Sequence, residues 1–174
     1  MHAAAPDYVE PVLGWRVWLV VDQGRRLALA SVYPTIWPTR SAFAAECCAT
    51  SQSALRHRVP HVRCGCGIHA AVSVEDAAAY FDGRGGASLR EVYRVIGRVA
   101  LWGCVVEGDK GWRASHGYPH ALYVPARPLG GPSGIGATDV VRGLSGYGIP
   151  VVLLDGVTKR RVCAALRSEL REAA

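Results

Sequence analysis

The sequence has almost no lysine, no long apolar run and no leader-like beginning. Of its 20 basic Lys and Arg residues, only Lys110 and Lys159 are lysines. The longest apolar run, Val99 to Val106, is too short to cross a bilayer. The first residues show no cationic cluster followed by an apolar stretch, as a secretory signal would. We therefore expect a cytoplasmic protein with no membrane partner, in which the six cysteines stay reduced.

Familiar catalytic motifs are missing as well. The chain contains no Gly-x-Ser-x-Gly, no His-Glu-x-x-His and no P-loop. The glycine-rich stretch from Arg127 to Ala137 lacks both the lysine and the strand–loop–helix spacing of a phosphate-binding loop. These absences favour a binding protein over an enzyme.

The composition is that of one folded domain. The chain has 174 residues, of which 50% are hydrophobic and 20% are charged, so we expect a single domain over 1–174. The net charge of +6 suggests a nucleic-acid partner. The arginines are scattered, however, and abundant Arg and Ala also result from high-GC coding bias. Both interpretations of the charge remain open.

Hydrophobic patterning predicts an α+β fold. Alternation over Gly14–Asp22 indicates a strand with two partly covered faces, and Leu27–Tyr33 is its expected hairpin partner. Val92–Gly108 gives the strongest strand pattern, and Arg113–Pro125 gives further extended pieces. We predict a mainly antiparallel curved sheet or small barrel with flanking helices.

Three helices are expected beside the sheet. The first spans Ser73–Asp82 with Ser73 as its N-cap, and the second begins with Thr138 as its cap. The third ends the chain and carries an apolar stripe of Val162, Leu166 and Leu170. Together with a buried strand, the last two form a helix–strand–helix segment over about 137–174.

Candidate metal ligands concentrate in one window of the chain. It contains Cys47, Cys48, His57, His61, Cys64 and Cys66, with His69 just beyond. Zinc takes four Cys or His ligands in a tetrahedron. Glycines after both cysteines of the Cys-x-Cys pair permit the tight turn that would aim two thiolates at one ion. We therefore predict a metal-binding loop over about 45–70.

Other roles for these thiols remain open at this point. A Cys-x-Cys redox pair would leave Cys47 and His57 without a role. An iron–sulfur cluster would need four cysteines, and hence both Cys47 and Cys48. The thiols could also be small buried side chains, which is common for free cysteine.

Three linked segments carry a resemblance to a known motif: "AEC" at Ala45–Cys47, "HRVP" at His57–Pro60 and "CGCGIHA" at Cys64–Ala70. They resemble a motif of an uncharacterised, mostly actinobacterial protein family, in which Ala-Glu-Cys is followed by His-x-x-Pro and Cys-x-Cys-Gly-Ile-Tyr-Ala. The stretch from Gly97 to Pro125 is similar to the second half of the family pattern, with its Trp-Gly-x-Val-x-Glu segment. The resemblance implies no activity.

The resemblance implies a specific ligand set. It favours Cys47 over Cys48 and His57 over His61, giving Cys47, His57, Cys64 and Cys66. This sequence departs from the motif at His69, where tyrosine is expected, and in its longer gap between Cys47 and His57, so Cys48 and His61 remain alternatives. Four protein ligands close the coordination sphere, and we therefore expect a structural zinc rather than a catalytic one.

A second cluster, of aromatic residues, suggests a ligand pocket. The residues predicted to line it are Trp102, Trp112, Arg113 and Tyr118. Stacking rings beside a cation suit a nucleic-acid base, as in a PUA-like reader. Most such aromatics simply build core, however. An acid–base site formed by Glu107 with His116 or His120 is the enzymatic alternative, and a protein-binding scaffold is the third.

Overall fold

The computed structural model confirms the α+β class. It describes residues 7–32, 35–47, 57–83, 89–129, 134–154 and 159–172. Within these ranges the strands are β1 (Asp7–Asp22), β2 (Leu27–Ala30), β3 (Phe43–Ala44), β4 (Ile68–Ala71), β5 (Glu91–Gly108), β6 (Gly111–Pro125) and β7 (Val151–Leu154). The helices are α1 (Val74–Ala78), α2 (Ala137–Leu144) and α3 (Lys159–Glu172), and 3₁₀ turns follow α1 and α2.

The sheet is largely antiparallel and curves back on itself. The long strands β1, β5 and β6 lie side by side, with β5 in the middle. The short β4 pairs with β6 along its length and with β1 through Trp15 and Ala71, so β1, β5, β6 and β4 follow one another in a ring. β2 extends β1 on the outside, and β7 runs parallel to β6. The predicted curved sheet is therefore correct.

Three short strands pair in succession with the edge of β6 that faces away from β5. β4 occupies the edge opposite 111–114, β3 pairs with Gly117 and His116, and β7 lies beyond at 122–125. Because β3 and β4 are both antiparallel to β6, the chain leaves this edge after β3 and returns to it at β4. This placement positions the metal-ligand residues described below.

Alternation along β1 builds a core on each face of the sheet. Trp18 and Val20 face the larger cluster, which α2 covers, and Trp15 and Val17 face a second cluster under α1 and α3. Neighbouring residues in a strand point to opposite faces, and both faces here bury apolar side chains. The prediction of two covered faces is confirmed.

The helix predictions are partly correct. Ser73 caps α1 as expected, because its hydroxyl accepts a hydrogen bond from the backbone N–H of Asp76. Val162 and Leu166 are fully buried on α3, whereas the side chain of Leu170 lies outside the described residues. None of the described helices has the length and apolar character needed to cross a membrane.

Two predicted boundaries were wrong. The N-cap of α2 is Gly136 rather than Thr138, so Thr138 lies in the first turn. β1 begins at Asp7 instead of Gly14. Its pairing with β5 is irregular between Tyr8 and Val12, and this irregularity accommodates Pro11, which has no N–H to donate to the ladder.

Candidate metal centre

The four predicted ligands lie around one point. One ligand atom from each of Cys47, His57, Cys64 and Cys66 is within 4.8 Å of all the others. The Sγ atoms of Cys47 and Cys64 are 3.7 Å apart, and Nε2 of His57 is 3.4 Å from Sγ of Cys66. All four residues are half-buried, and all three thiols are free. This cluster could hold a metal ion.

Two of the distances between ligand atoms match those expected around a tetrahedral ion of the size of zinc. With Zn–S near 2.3 Å and Zn–N near 2.0–2.1 Å, tetrahedral geometry places two sulfurs about 3.8 Å apart and a sulfur about 3.6 Å from a nitrogen. The observed 3.7 Å and 3.4 Å are close to these edges. A donor set of sulfur and imidazole suits zinc and does not suit magnesium or calcium, which prefer oxygen.

Strand register explains why residues distant in sequence meet here. The backbone N–H of Ala45 bonds to the carbonyl of Ser115 at 2.8 Å, and Ile68 pairs with the adjacent residue, Ala114. The chain thus departs from β6 and returns to it at neighbouring positions. Cys47 lies just after the departure and Cys66 just before the return, so the sheet brings the two ends of the ligand set together.

Two side chains of the sheet fasten the Cys-x-Cys turn. Nη1 of Arg113 donates to the carbonyl of Cys64, and to those of His61 and Cys66 at 3.3 Å each. Nε2 of His69 donates to the carbonyl of Gly65 at 2.8 Å. Carbonyls of three consecutive residues, 64–66, are therefore bonded by side chains of β4 and β6.

The environment affects the two thiols of the pair in opposite directions. The backbone N–H of Cys66 bonds to the Cys64 sulfur and lowers the pKa of that thiol, and the nearby Arg113 cation acts in the same direction. Burial raises the pKa of the Cys66 thiol. A metal ion would supply the positive charge that favours the thiolate form of both.

Gly67 has a steric role in this turn. Its φ is +112°, a conformation that residues with a side chain rarely adopt. A Cβ at this position would lie 3.0 Å from Cβ of Pro60 and 3.2 Å from the carbonyl oxygen of Ala114. Glycine therefore allows the turn to pack directly on β6.

Of the two alternative ligands, His61 is adjacent to the cluster but not part of it, and Cys48 is outside the described residues. The His61 ring packs against the His57 ring with centroids 4.8 Å apart, and its Nδ1 accepts from the N–H of Arg63 at 3.3 Å. Cys104 is buried in β5, and Cys163 on α3 packs against the second core cluster.

The structure separates the residues of the predicted aromatic pocket. Trp102 pairs with His116 and stacks on its ring with centroids 6.3 Å apart. Trp112 pairs with Glu107, four residues along β6 from His116 and hence about 13 Å away along the strand. Arg113 contacts the metal loop, as described above.

Tyr118 has its own set of contacts. Its hydroxyl donates to the carbonyl of Tyr147 at 2.9 Å and accepts from the N–H of Arg40 at 2.7 Å. These bonds tie β6 to the segments around it. Sequence reasoning placed Tyr118 beside a ligand, whereas here its hydroxyl holds backbone groups.

The residues of the enzymatic alternative are also spread along the hairpin. Glu107 is exposed opposite Trp112, and His120 is exposed at a register irregularity of β6. His116 lies between them and places Nδ1 2.9 Å from the hydroxyl of Ser115. The described contacts join none of these histidines to Glu107.

Two functional side chains were missed by sequence reasoning. His69 was noted just beyond the ligand window and as a departure from a motif, and its bond to Gly65 shows that it holds the turn. Arg16 was given no function, and its guanidinium lies over the ring of Trp37 with Cζ 5.3 Å from the centroid. Strand alternation places Arg16 on the same face as Trp18, and that pattern was the available signal.

No protein-family model, curated protein or solved structure matches this chain.

Proposed function

We propose that this protein is a zinc-stabilised binding module. The observation that supports the proposal best is the Cys₃His cluster, whose four ligand atoms lie within 4.8 Å of one another. Four protein ligands leave no open position for water or substrate, as in structural zinc sites. The zinc would therefore stabilise the loop rather than perform chemistry.

The position of the cluster supports this structural role. The chain leaves β6 after β3 and returns to it at β4, and the ligands join the two ends of this connecting segment. Arg113 bonds three carbonyls near its second end. Three thiolates and one imidazole around Zn²⁺ carry a net charge of −1. The guanidinium of Arg113 lies beside this charge and partly compensates it.

The exposed surface of the metal loop supports nucleic acid as the partner class. The segment from His57 to Gly67 contains no acidic residue, and Arg58 and Arg63 are exposed on it. The chain as a whole carries +6. On the hairpin, the half-buried Trp102 with His116 supplies an aromatic pair of the kind on which bases stack.

The zinc proposal is tested by metal analysis of purified protein. We expect about one zinc per chain by mass spectrometry, and a fall in the melting temperature when a chelator removes it. A protein that purifies without metal and melts at the same temperature with and without added zinc would refute the structural role.

The partner proposal is tested separately, by fluorescence anisotropy with single-stranded and duplex oligonucleotides. Neutralisation of phosphates predicts a log Kd that rises linearly with log salt between about 50 and 200 mM. Arg63→Gln should weaken binding and reduce the slope by about one. Arg142→Gln is the matched control, since Arg142 is 80% exposed on α2. Zinc-loaded protein that binds no oligonucleotide even at low salt would exclude nucleic acid and leave the zinc site intact.

A further inference from the structure

The guanidinium of Arg16 on β1 lies against two tryptophans of the larger core cluster, and the residue is half-buried. Its guanidinium carbon lies 5.3 Å from the ring centroid of Trp37 and 5.9 Å from that of Trp18. One Nη group donates to the carbonyl of His69, and the other donates to the hydroxyl of Ser31 at 3.0 Å. The cation thus contacts two indole rings and two polar groups.

This cation has no counter-charge in the described part of the chain. None of the ion pairs among those residues involves Arg16. The contrast is Arg94, whose Nε lies 2.6 Å from a carboxylate oxygen of Glu91. Burial lowers the pKa of Arg16 to about 10, so the group is still charged at neutral pH. A partly desolvated charge without an opposite charge nearby is destabilising.

Hydrogen-bond donors around Arg16 also outnumber the acceptors. Nε of Arg16 and Nε1 of Trp18 are buried and have no partner within the described residues. The hydroxyl of Ser31 already accepts from Nε1 of Trp37 at 2.9 Å and from Arg16, so its own proton is available to donate. Buried donors of native proteins are normally paired, and unpaired ones indicate an unobserved water or ion.

We propose that a small oxyanion, a phosphate or a carboxylate, binds at Arg16 on this face of the sheet, with Trp18 and Ser31 as further donors. Water would satisfy the donors but would leave the charge of Arg16 unbalanced, whereas an oxyanion does both. The planar guanidinium is suited to two parallel bonds with such a group. Because the donors are buried, the site suits a small anion and not an extended polymer.

The test titrates metal-loaded protein at constant ionic strength in a chloride background, with inorganic phosphate in one arm and acetate in the other. Isothermal calorimetry and tryptophan fluorescence report binding, since Trp18 and Trp37 border the site. We expect phosphate or acetate to bind at one saturable site and to change the tryptophan fluorescence. The anion that binds more tightly shows whether the site prefers a phosphate or a carboxylate.

Two variants locate the site. Arg16→Met keeps the apolar stem and should abolish saturable binding. Trp18→Phe removes one donor but keeps an aromatic ring, and should weaken binding about 3- to 10-fold, the usual value of one hydrogen bond. Arg142→Met, which removes an exposed arginine of α2, should bind as the unaltered protein does.

Absence of saturable binding of both anions to the folded unaltered protein would overturn the proposal, and water would then satisfy the donors. Equal affinity in Arg16→Met or in Trp18→Phe would overturn it too. If Arg16→Met does not fold, anion binding to the unaltered protein and to Trp18→Phe still tests the proposal.

Discussion

His69 and Arg113 are directly opposite each other in the β4–β6 ladder, and their side chains bond the carbonyls of three consecutive residues of the Cys-x-Cys turn. Cross-strand partners project to the same face of a sheet, so one pair of side chains can hold one turn. These bonds hold the turn through its backbone carbonyls and use no ligand side chain. A turn held in this way lowers the entropic cost of gathering the ligands.

The first prediction concerns the thiols of the cluster. Cys64→Ser or Cys66→Ser should lose the metal and several kcal/mol of unfolding free energy, because binding of a structural zinc contributes directly to folding. Cys104→Ala is the control: Cys104 is 6% exposed in β5 and should keep the metal. Zinc content and thermal melting measure both effects. Loss of zinc from Cys104→Ala would contradict the ligand assignment.

The second prediction separates the assigned ligands from their sequence neighbours. Cys47→Ser and His57→Asn should release zinc, since both contribute an atom to the cluster. Cys48→Ser and His61→Asn should retain it. A colorimetric zinc-release assay under mild denaturant is sufficient. The reverse pattern in either pair would move the site to the alternative ligand.

The third prediction concerns the bonds from Arg113 to the loop. Arg113→Met should weaken zinc binding about 10- to 100-fold, as loss of groups that orient metal ligands usually does. Arg113→Lys keeps the charge but not the planar guanidinium whose Nη1 contacts three carbonyls, and should recover only part of the affinity. Competition with a chromophoric chelator gives the affinities. If both variants bind zinc like the unaltered protein, Arg113 does not support the site.

The fourth prediction compares two glycines of the same turn. Gly67→Ala should cost about 1–3 kcal/mol of stability, because φ is +112° and the added Cβ would press on Pro60 and Ala114. Gly65→Ala should cost little, since no atom lies within 4 Å of a Cβ there. Chemical denaturation of the zinc-loaded variants measures the difference. Equal costs would show that the turn is not packed as described.

The fifth prediction distinguishes two tryptophans of the hairpin. Trp112 packs against the larger core, so Trp112→Ala should cost roughly 2–3 kcal/mol, somewhat less than the cost for a fully buried Trp. Trp102 stacks on His116, and Trp102→Ala should instead weaken oligonucleotide binding by about 1–3 kcal/mol. Thermal melting of both variants measures the loss of stability, and fluorescence anisotropy measures the loss of oligonucleotide binding. Weaker binding only in Trp112→Ala would reverse these roles.

Local patterns determined much of the fold. Alternation in β1 required two covered faces, and Ser73 before acidic residues marked a helix start, because both signals act over a few residues. The alternation over Gly14–Asp22 missed the start of β1 at Asp7, because the strand continues past Pro11 through a register irregularity that no local pattern shows. Whether the chain belongs to the family it resembles stays a prediction.

The sequence by itself determined which residue types were available for a metal: four cysteines and two histidines between Cys47 and Cys66. Only the tertiary structure decided which of them meet, because that depends on Ala45 and Ile68 docking at neighbouring residues of β6. It also decided that Arg113 bonds the loop and that Arg16 lies over Trp37. Strand register and sheet curvature set those contacts, and both arise from pairing between residues far apart in the chain.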